Sequence, residues 1–243
     1  MRGRAPSGML AASMRARTTL IGAVGLAAAL AVRRIGRRSG VSAAELRASL
    51  PGDELVDAPT WRSTRAIMVA AEPAEVWPWI VQMGFPAYRA GWYTPHWLDR
   101  LQWGIRERSA EEIRPELQGL EVGDRVPDSV DWSAFFTVAA IEPRRALVLH
   151  STRHLLRPLR SIDFSWAFVL TPHGTGRTRL TIRARARGQP RAAMLALTPL
   201  LDVGDFLNAS AMLRGVKRRA EGAGGPSAAT EHRAEVASGT RRS

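Results

Sequence analysis

Residues 163–187 read DFSWAFVLTPHGTGRTRLTIRARAR, and this stretch decides the fold. From residue 179 to residue 187 the odd positions hold Arg or Thr, and the even positions hold Leu, Ile or Ala. A period of two residues predicts a β-strand with one buried face. The turn sequence PHGTG at 172–176 separates 163–171 from 178–187, so we expect an antiparallel hairpin. We expect its arginine face to be solvated.

More strands are predicted on the N-terminal side of this hairpin. Residues 135–142 and 146–152 are apolar runs separated by Pro-Arg-Arg, and 125–127 follows a Gly-Asp turn. Residues 61–70 form an earlier run, with Ile67 and Val69 on one face. Short apolar runs punctuated by turn residues are typical of antiparallel strands. The chain is therefore predicted to contain one sheet built largely from hairpins.

Helices are predicted on either side of the later strands. Glu72-Pro73-Ala74-Glu75 is a helix start, and an apolar stripe with helical spacing follows it. Thr94 before Pro95 predicts the cap of a second, short helix. Residues 192–219 are helix-forming, with an expected break at Pro199 and a turn near Gly204-Asp205.

This order of elements predicts the α+β class. A strand, two short helices, a run of antiparallel strands and a long C-terminal helix form a helix-grip fold when the sheet curves around that helix. A curved sheet and a straight helix diverge, and the wedge between them becomes a pocket where side chains do not fill it. We therefore expect a cavity between the sheet and the C-terminal helix.

Residues 1–40 form a basic leader with eight arginines and no acidic residue. Within it, residues 18–32 read TTLIGAVGLAAALAV without a charge, and arginines flank both ends. As a helix this run covers roughly 22 Å of a hydrocarbon core that is roughly 30 Å thick. We expect a weak membrane anchor of unassigned sidedness, with residues 15–38 against the head groups. The alternatives are a secretory signal cleaved at Ala29-Leu30-Ala31, and a disordered or mispredicted leader of a cytoplasmic protein.

Composition narrows the classes of function. The 243 residues carry a formal net charge of +13, but the leader holds much of it, so we expect no nucleic-acid partner. The absence of cysteine excludes disulfides, thiol catalysis and thiolate-bound metal clusters. His150 and His154 have the spacing of zinc ligands on a helix, but they follow a strand pattern. We therefore predict no metal site and no cofactor.

Six segments of the chain resemble the bacterial SRPBCC superfamily, which includes START-like lipid-transfer proteins and polyketide cyclases/dehydrases. They are AEPAEVWPWIVQMG (71–84), GWYTPHWLDRL (91–101), IRPELQGLEVGDRVP (113–127), FTVAAIEPRRALVLH (136–150), SWAFVLTP (165–172) and GDFLNASAMLRGVKRRAE (204–221). Leu50-Pro51-Gly52-Asp53-Glu54-Leu55 also matches one branch of that superfamily. Two positions depart from it: Pro95-His96 stands in place of Tyr-Asp, and Ala209-Ser210 in place of an acidic-basic pair. The resemblance implies a helix-grip fold with a hydrophobic ligand cavity, and it implies no particular reaction.

Charge, turn residues and composition delimit a leader, a linker at 41–58 and a disordered tail at 222–243, and the resemblance implies that residues 59–221 between them form a START-like ligand-binding domain. Within the domain, large aromatic and aliphatic side chains are typical of a pocket for a lipid or a polycyclic molecule. The candidate ligand-binding residues are Trp77, Ile80, Trp92, Tyr93, Trp97, Trp166, Phe168 and Phe206.

We expect carriage or sensing of a small hydrophobic ligand such as a lipid or polyketide, rather than catalysis. The alternative is a cyclase or dehydratase-type enzyme acting on a hydrophobic substrate in the same cavity. Its acid or base would come from Glu116, His150 or His96, with Asp205 also near the predicted cavity walls. No nucleophile elbow and no phosphate loop accompany these residues. The oligomeric state does not follow from the sequence.

Overall fold

The structure is a computed structural model that describes residues 38–154 and 158–223. The apolar run 18–32, nearly all of the basic leader and residues 224–243 of the predicted tail lie outside the described residues. The expectations for the leader and for the tail stay predictions for that reason.

Six strands form one antiparallel sheet. They are β1 (Trp61–Val69), β2 (Arg125–Pro127), β3 (Phe135–Glu142), β4 (Ala146–Ser151), β5 (Ser161–Pro172) and β6 (Thr178–Gln189). Their spatial order is β1-β6-β5-β4-β3-β2, so successive strands from β2 to β6 are neighbours and β1 closes the far edge. A register shift between Val138 and Ala140 interrupts the pairing of β3 with β4, and a bulge of this kind bends a sheet.

The predicted alternation in β6 is present in the sheet. Leu180 and Ile182 pair with Leu170 and Phe168 of β5, and all four side chains belong to the main hydrophobic core. The even positions of β5 and β6 therefore form the inner face. The arginines of β6 point to the opposite, outer face, as the period of two residues requires.

The expectation that this arginine face is solvated is wrong for Arg183 and Arg185, both of which are buried. Residues 42–57 cover them, a segment that includes α1 (Ala43–Arg47) and the 3-10 turn Glu54–Val56. Arg183 contacts Asp53 at 2.7 Å and donates to the carbonyl oxygens of residues 45 and 48, while Arg185 contacts Asp53 at 2.9 Å. An alternating pattern separates two faces of a strand, but it does not say what covers each face.

Two short helices follow β1, as predicted. α2 (Pro73–Val81) begins with Pro73 in its first turn and a capping box between Glu72 and Glu75. α3 (His96–Trp103) has Pro95 rather than the expected Thr94 at its N-cap, because the Thr94 hydroxyl bonds the Asp99 carboxylate instead. A side chain therefore caps α2, whereas α3 begins without a side-chain cap.

The C-terminal helix α4 (Arg191–Ala223) is one continuous helix, so the break expected at Pro199 and the turn expected near Gly204 are both wrong. Proline has no N–H for the carbonyl oxygen four residues before it. That oxygen, on Leu195, instead accepts a 2.7 Å hydrogen bond from the Thr198 hydroxyl. A local substitute for the missing donor thus accompanies the uninterrupted helix.

α4 packs against β1, β6 and α2 on the inner face of the sheet. Two polar contacts join it to β1: the Trp61 indole donates to Asp202 at 2.8 Å, and Arg65 pairs with Asp205. Further along, Met212 and Val216 enter the main core. A curved antiparallel sheet around one long C-terminal helix confirms the predicted α+β helix-grip fold.

The stretch Arg191–Gly222 is also long and apolar enough to suit a membrane span by length and composition alone, within the residues described. Its packing on the sheet makes it the central helix of the fold. Nevertheless only 22% of its apolar window is buried, so much of its apolar surface faces outward.

Candidate functional site

Six rings from four parts of the chain form an aromatic cluster on the inner face of the sheet. Their closest pairs are Phe136 with His154 at 4.3 Å, Trp166 with Phe168 at 5.0 Å and Trp92 with Trp166 at 5.3 Å between ring centroids. Phe164 completes the cluster at 5.6 Å from Phe136. Inward-facing positions of β3 and β5 supply four rings, and the loops before α3 and after β4 supply the other two.

This aromatic cluster lies between two separate hydrophobic cores. Phe164 and Trp166 are half-buried, and they pack against both the main core and a second core of which Met194 on α4 is a buried member. Leu197 and Leu201 of α4 are half-buried against that second core. The cluster therefore lies where the two cores meet, between α4 and the central strands, which is the region where a helix-grip fold can hold a ligand.

Both indoles of the aromatic cluster carry N–H groups that have no acceptor among the described residues, as does the indole of Trp79 in the main core. The Nε1 atoms of Trp92 and Trp166 are buried, and neither has a hydrogen-bond partner among the described residues. A buried donor without a partner costs about 1–3 kcal/mol. An acceptor on a bound molecule would recover that free energy, so the cluster favours a ligand that is mostly apolar but carries an oxygen or nitrogen acceptor.

His154 is the titratable member of the cluster, and both its ring nitrogens have partners. Nε2 lies 2.9 Å from a carboxylate oxygen of Asp128, and Nδ1 lies 2.8 Å from the Ser151 hydroxyl oxygen. The Ser151 hydroxyl donates a hydrogen bond to the carbonyl oxygen of Phe135 at 2.6 Å. The Ser151 oxygen therefore accepts the hydrogen bond from Nδ1 of His154. Because both ring nitrogens are held by protein groups, His154 can act as a general acid or base only where a substrate displaces one of these partners.

Seven of the eight predicted ligand-binding residues fall into three groups. Trp92, Trp166 and Phe168 lie in the aromatic cluster. Ile80 is buried in the main core and Trp77 is half-buried against it, both on α2. Trp97 on α3 and Phe206 on α4 are exposed.

Tyr93, the remaining predicted residue, is buried behind α2. Its hydroxyl accepts from the Gln82 amide at 2.8 Å and donates to the carbonyl oxygen of Trp79 at 3.0 Å. The Arg219 guanidinium stacks on its ring at 4.5 Å. Burial raises the pKa of Tyr93, which keeps the phenol a hydrogen-bond donor. These contacts describe a residue that holds α2, the following loop and α4 together.

The candidate acids and bases lie away from the aromatic cluster. His150 is on the outer face of the sheet, 2.6 Å from Asp163. Glu116 is exposed in the 3-10 turn Pro115–Leu117, and His96 begins α3. Asp205 faces Arg65 beneath α4, and burial raises its pKa more than the Arg65 charge lowers it.

Two open recesses of about 650 and 700 Å³ border α3. The larger lies between the start of α3 and the C-terminal half of α4, and it is lined by arginines that include Arg108, Arg214 and Arg218. The smaller contains the exposed Trp97 and Leu101. No residue of the aromatic cluster lines either recess.

The sequence interpretation missed four residues of this site: Phe136, Phe164, His154 and Asp128. Phe164 could have been found from strand parity, since it shares the face of Trp166 two residues later. The sequence pattern indicates His154 only as half of a metal-ligand pair with His150. The pair does not converge, because β4 directs His150 outward while the loop after β4 directs His154 inward.

No protein-family model and no curated protein sequence matches this chain. Among solved structures, a protein from Mesorhizobium loti is 18% identical, with 64% of this chain and 95% of that chain covered and a TM-score of 0.38. A hypothetical protein from Helicobacter pylori is 12% identical, with coverages of 71% and 95% and a TM-score of 0.44. Norcoclaurine synthase from Thalictrum flavum is 12% identical, with coverages of 65% and 84% and a TM-score of 0.41.

Proposed function

We propose that this chain, whose helix-grip fold is that of the SRPBCC superfamily, binds a small hydrophobic ligand at the aromatic cluster. The observation that carries the proposal is the pair of buried, unpartnered indole N–H groups of Trp92 and Trp166, set among half-buried rings. The ligand would part these two rings, stack between them and accept a hydrogen bond. Residues 59–221 would form the binding domain.

The binding test uses prodan, an uncharged aromatic ketone whose emission shifts to the blue in apolar surroundings and whose carbonyl oxygen can accept from an indole N–H. We expect the full chain to bind it saturably, and native mass spectrometry to find a co-purified small molecule. Trp166→Phe should weaken probe binding roughly fivefold, since it removes the donor and part of the contact area. Trp132→Phe, a half-exposed tryptophan against Tyr88, is the matched control and should bind normally. Absence of saturable binding by the wild type would contradict the proposal.

A second candidate function is favoured by His154 and Asp128. With its Nε2 held by Asp128, the imidazole could transfer a proton through Nδ1 in the cyclisation or dehydration of a hydrophobic substrate, once that substrate displaces the Ser151 hydroxyl from Nδ1. The test is loss of one water from β-hydroxy ketones, followed by mass spectrometry. His154→Gln should abolish that loss while retaining probe binding, and His173→Gln in the β5–β6 turn should not. Unchanged turnover in His154→Gln would remove this assignment.

We also propose that residues 18–32 tether the domain to a membrane, with the flanking arginines at the head groups. The support is the uncharged run between arginines in the sequence. After a carbonate wash of membranes, a tethered chain should stay in the pellet. Full extraction into the supernatant would favour the cytoplasmic alternative.

A further inference from the structure

The outward face of α4 is apolar over its N-terminal half. Leu200 and Val203 are 66% and 52% exposed, and Leu207 is exposed one turn further on. Leu195 and Phe206 add exposed apolar surface beside them. A large exposed apolar patch on one helix face marks an interaction surface rather than ordinary surface composition.

The same face becomes basic over the C-terminal half of the helix. Helical spacing places Ala211, Arg214 and Arg218 in line with Leu200 and Leu207. These three residues line the 700 Å³ recess that Arg108 also borders. One helix face thus presents an apolar half followed by a cationic half.

No acidic side chain interrupts this face. Between Arg191 and Arg218 the acidic residues of α4 are Asp202 and Asp205, and both turn toward the sheet, where they bond Trp61 and Arg65. At the recess, the one acidic residue of the lining is Glu111, which pairs with Arg219 at 2.7 Å and with Arg218 at 3.3 Å. The exposed face therefore carries an excess of positive charge.

α3 extends this surface on the other side of the recess. Trp97 and Leu101, one helical turn apart, are 65% and 76% exposed. Arg100 stands between them, and all three line the recess of about 650 Å³. Exposed Trp and Leu side chains next to arginines are typical of surfaces that lie at the boundary between lipid tails and head groups.

We propose that this face, formed by residues 195–218 of α4 with Trp97 and Leu101 of α3, docks on an anionic lipid bilayer. The apolar half enters the acyl boundary, and Arg214, Arg218 and Arg108 contact phosphates. The charge favours this occupant over two others. The first is the chain's own apolar run 18–32, which is flanked by arginines. The second is another copy of this chain, which would bring its own basic half. Either occupant would place further positive charge against this face.

The inference is independent of ligand binding at the aromatic cluster, and its test needs a local probe because residues 18–32 could hold the full chain on vesicles. The chain has no cysteine, so a single Val203→Cys substitution accepts one environment-sensitive nitrobenzoxadiazole label. Val122→Cys is the matched control, since Val122 is 63% exposed on the turn before β2, the strand at the opposite edge of the sheet from β1. Vesicles contain phosphatidylcholine alone, or phosphatidylcholine with phosphatidylglycerol, each with and without brominated acyl chains.

We expect the label at position 203 to shift to the blue and to be quenched by brominated lipid when phosphatidylglycerol is present, with no such change at position 122. Combining Arg214→Gln and Arg218→Gln should weaken this response at least about threefold, because each basic residue near an anionic surface adds to the attraction. Arg145→Gln, on the β3–β4 turn, should leave it unchanged. A chain that binds vesicles while the label at 203 stays in water would overturn the proposal. A label at position 203 whose emission is already blue-shifted without vesicles would also overturn it. If that shift grew with protein concentration, a second copy would cover the face; if it did not, the chain's own N-terminal run would cover it.

Discussion

Asp205 shows how a single residue joins the helix to the sheet. It faces Arg65, whose side chain is almost fully buried on the inner face of β1. Burial raises the pKa of Asp205, and the Arg65 cation opposes that rise. The Phe206 ring lies 5.7 Å from the guanidinium and closes the pair from the outside. The two charges therefore depend on each other inside the fold.

We expect Asp205→Asn to lower the free energy of unfolding by about 3 kcal/mol, because the buried Arg65 would lose the negative charge of Asp205. The double variant Arg65→Met with Asp205→Leu should recover most of that loss, since apolar side chains of similar volume can replace a buried ion pair. Urea denaturation at pH 7 measures both. A single variant as stable as the wild type would show that the pair does not compensate charge.

Glu45 gives a pH-dependent contribution where α1 meets β6. The hydrogen bond from Arg179, at 2.8 Å, lowers the pKa of Glu45 from 4.5 to about 2. The stabilisation is therefore complete above about pH 4.5 and is lost as the pH falls toward 2. Glu45→Gln should unfold more easily than the wild type at pH 7 by under about 1 kcal/mol, because the pair is partly exposed. The two curves should converge near pH 2, and the exposed control Glu116→Gln should be as stable as the wild type at pH 7.

At the scale of elements, the strands and the long C-terminal helix were predictable, but the unbroken course of that helix was not. Strand bounds such as those of β3 follow from runs of apolar residues and from turns that lie next to each other in the sequence. The continuity of α4 depends on Thr198, which serves a carbonyl that Pro199 cannot, and on contacts of Asp202 and Asp205 with a strand some 140 residues earlier. Local signals at Pro199 and Gly204 favour a break, and these contacts oppose it.

Thr198→Val should therefore destabilise α4 near Pro199. The valine keeps the shape of the side chain but cannot donate to the Leu195 carbonyl oxygen, and we expect a loss of about 1 kcal/mol. Thr198→Ser keeps the hydroxyl and should lose less than Thr198→Val. Hydrogen exchange along residues 191–205 and chemical denaturation measure the difference. Equal stability of Val and Thr at this position would contradict the role assigned to the hydroxyl.

At the scale of the whole molecule, the candidate site is assembled from distant segments. Trp166 and Phe168 were predictable because strand parity puts them on the inner face, and Trp92 came with the resemblance. His154 and Asp128 could not be predicted as part of the site, because their contact depends on how the loop after β2 meets the loop after β4. A spacing of 26 residues between them carries no local signal.

The segment 42–57 is the other feature that only the assembled molecule explains, and Asp53 is its main attachment. Asp53 contacts the buried Arg183 and Arg185 at 2.7 and 2.9 Å. Removing the charge of Asp53 would therefore leave two buried cations without this carboxylate. We expect Asp53→Asn to cost about 3 kcal/mol of unfolding free energy and to expose the amides of residues 42–57 to hydrogen exchange while the sheet stays protected. Asp57→Asn is the matched control, because Asp57 is largely exposed and its 3.2 Å pair with Arg187 should contribute under about 0.5 kcal/mol. If the two variants behave alike, the outer face of the sheet does not depend on charge pairing, and the apolar contacts of Val56 must hold the segment in place.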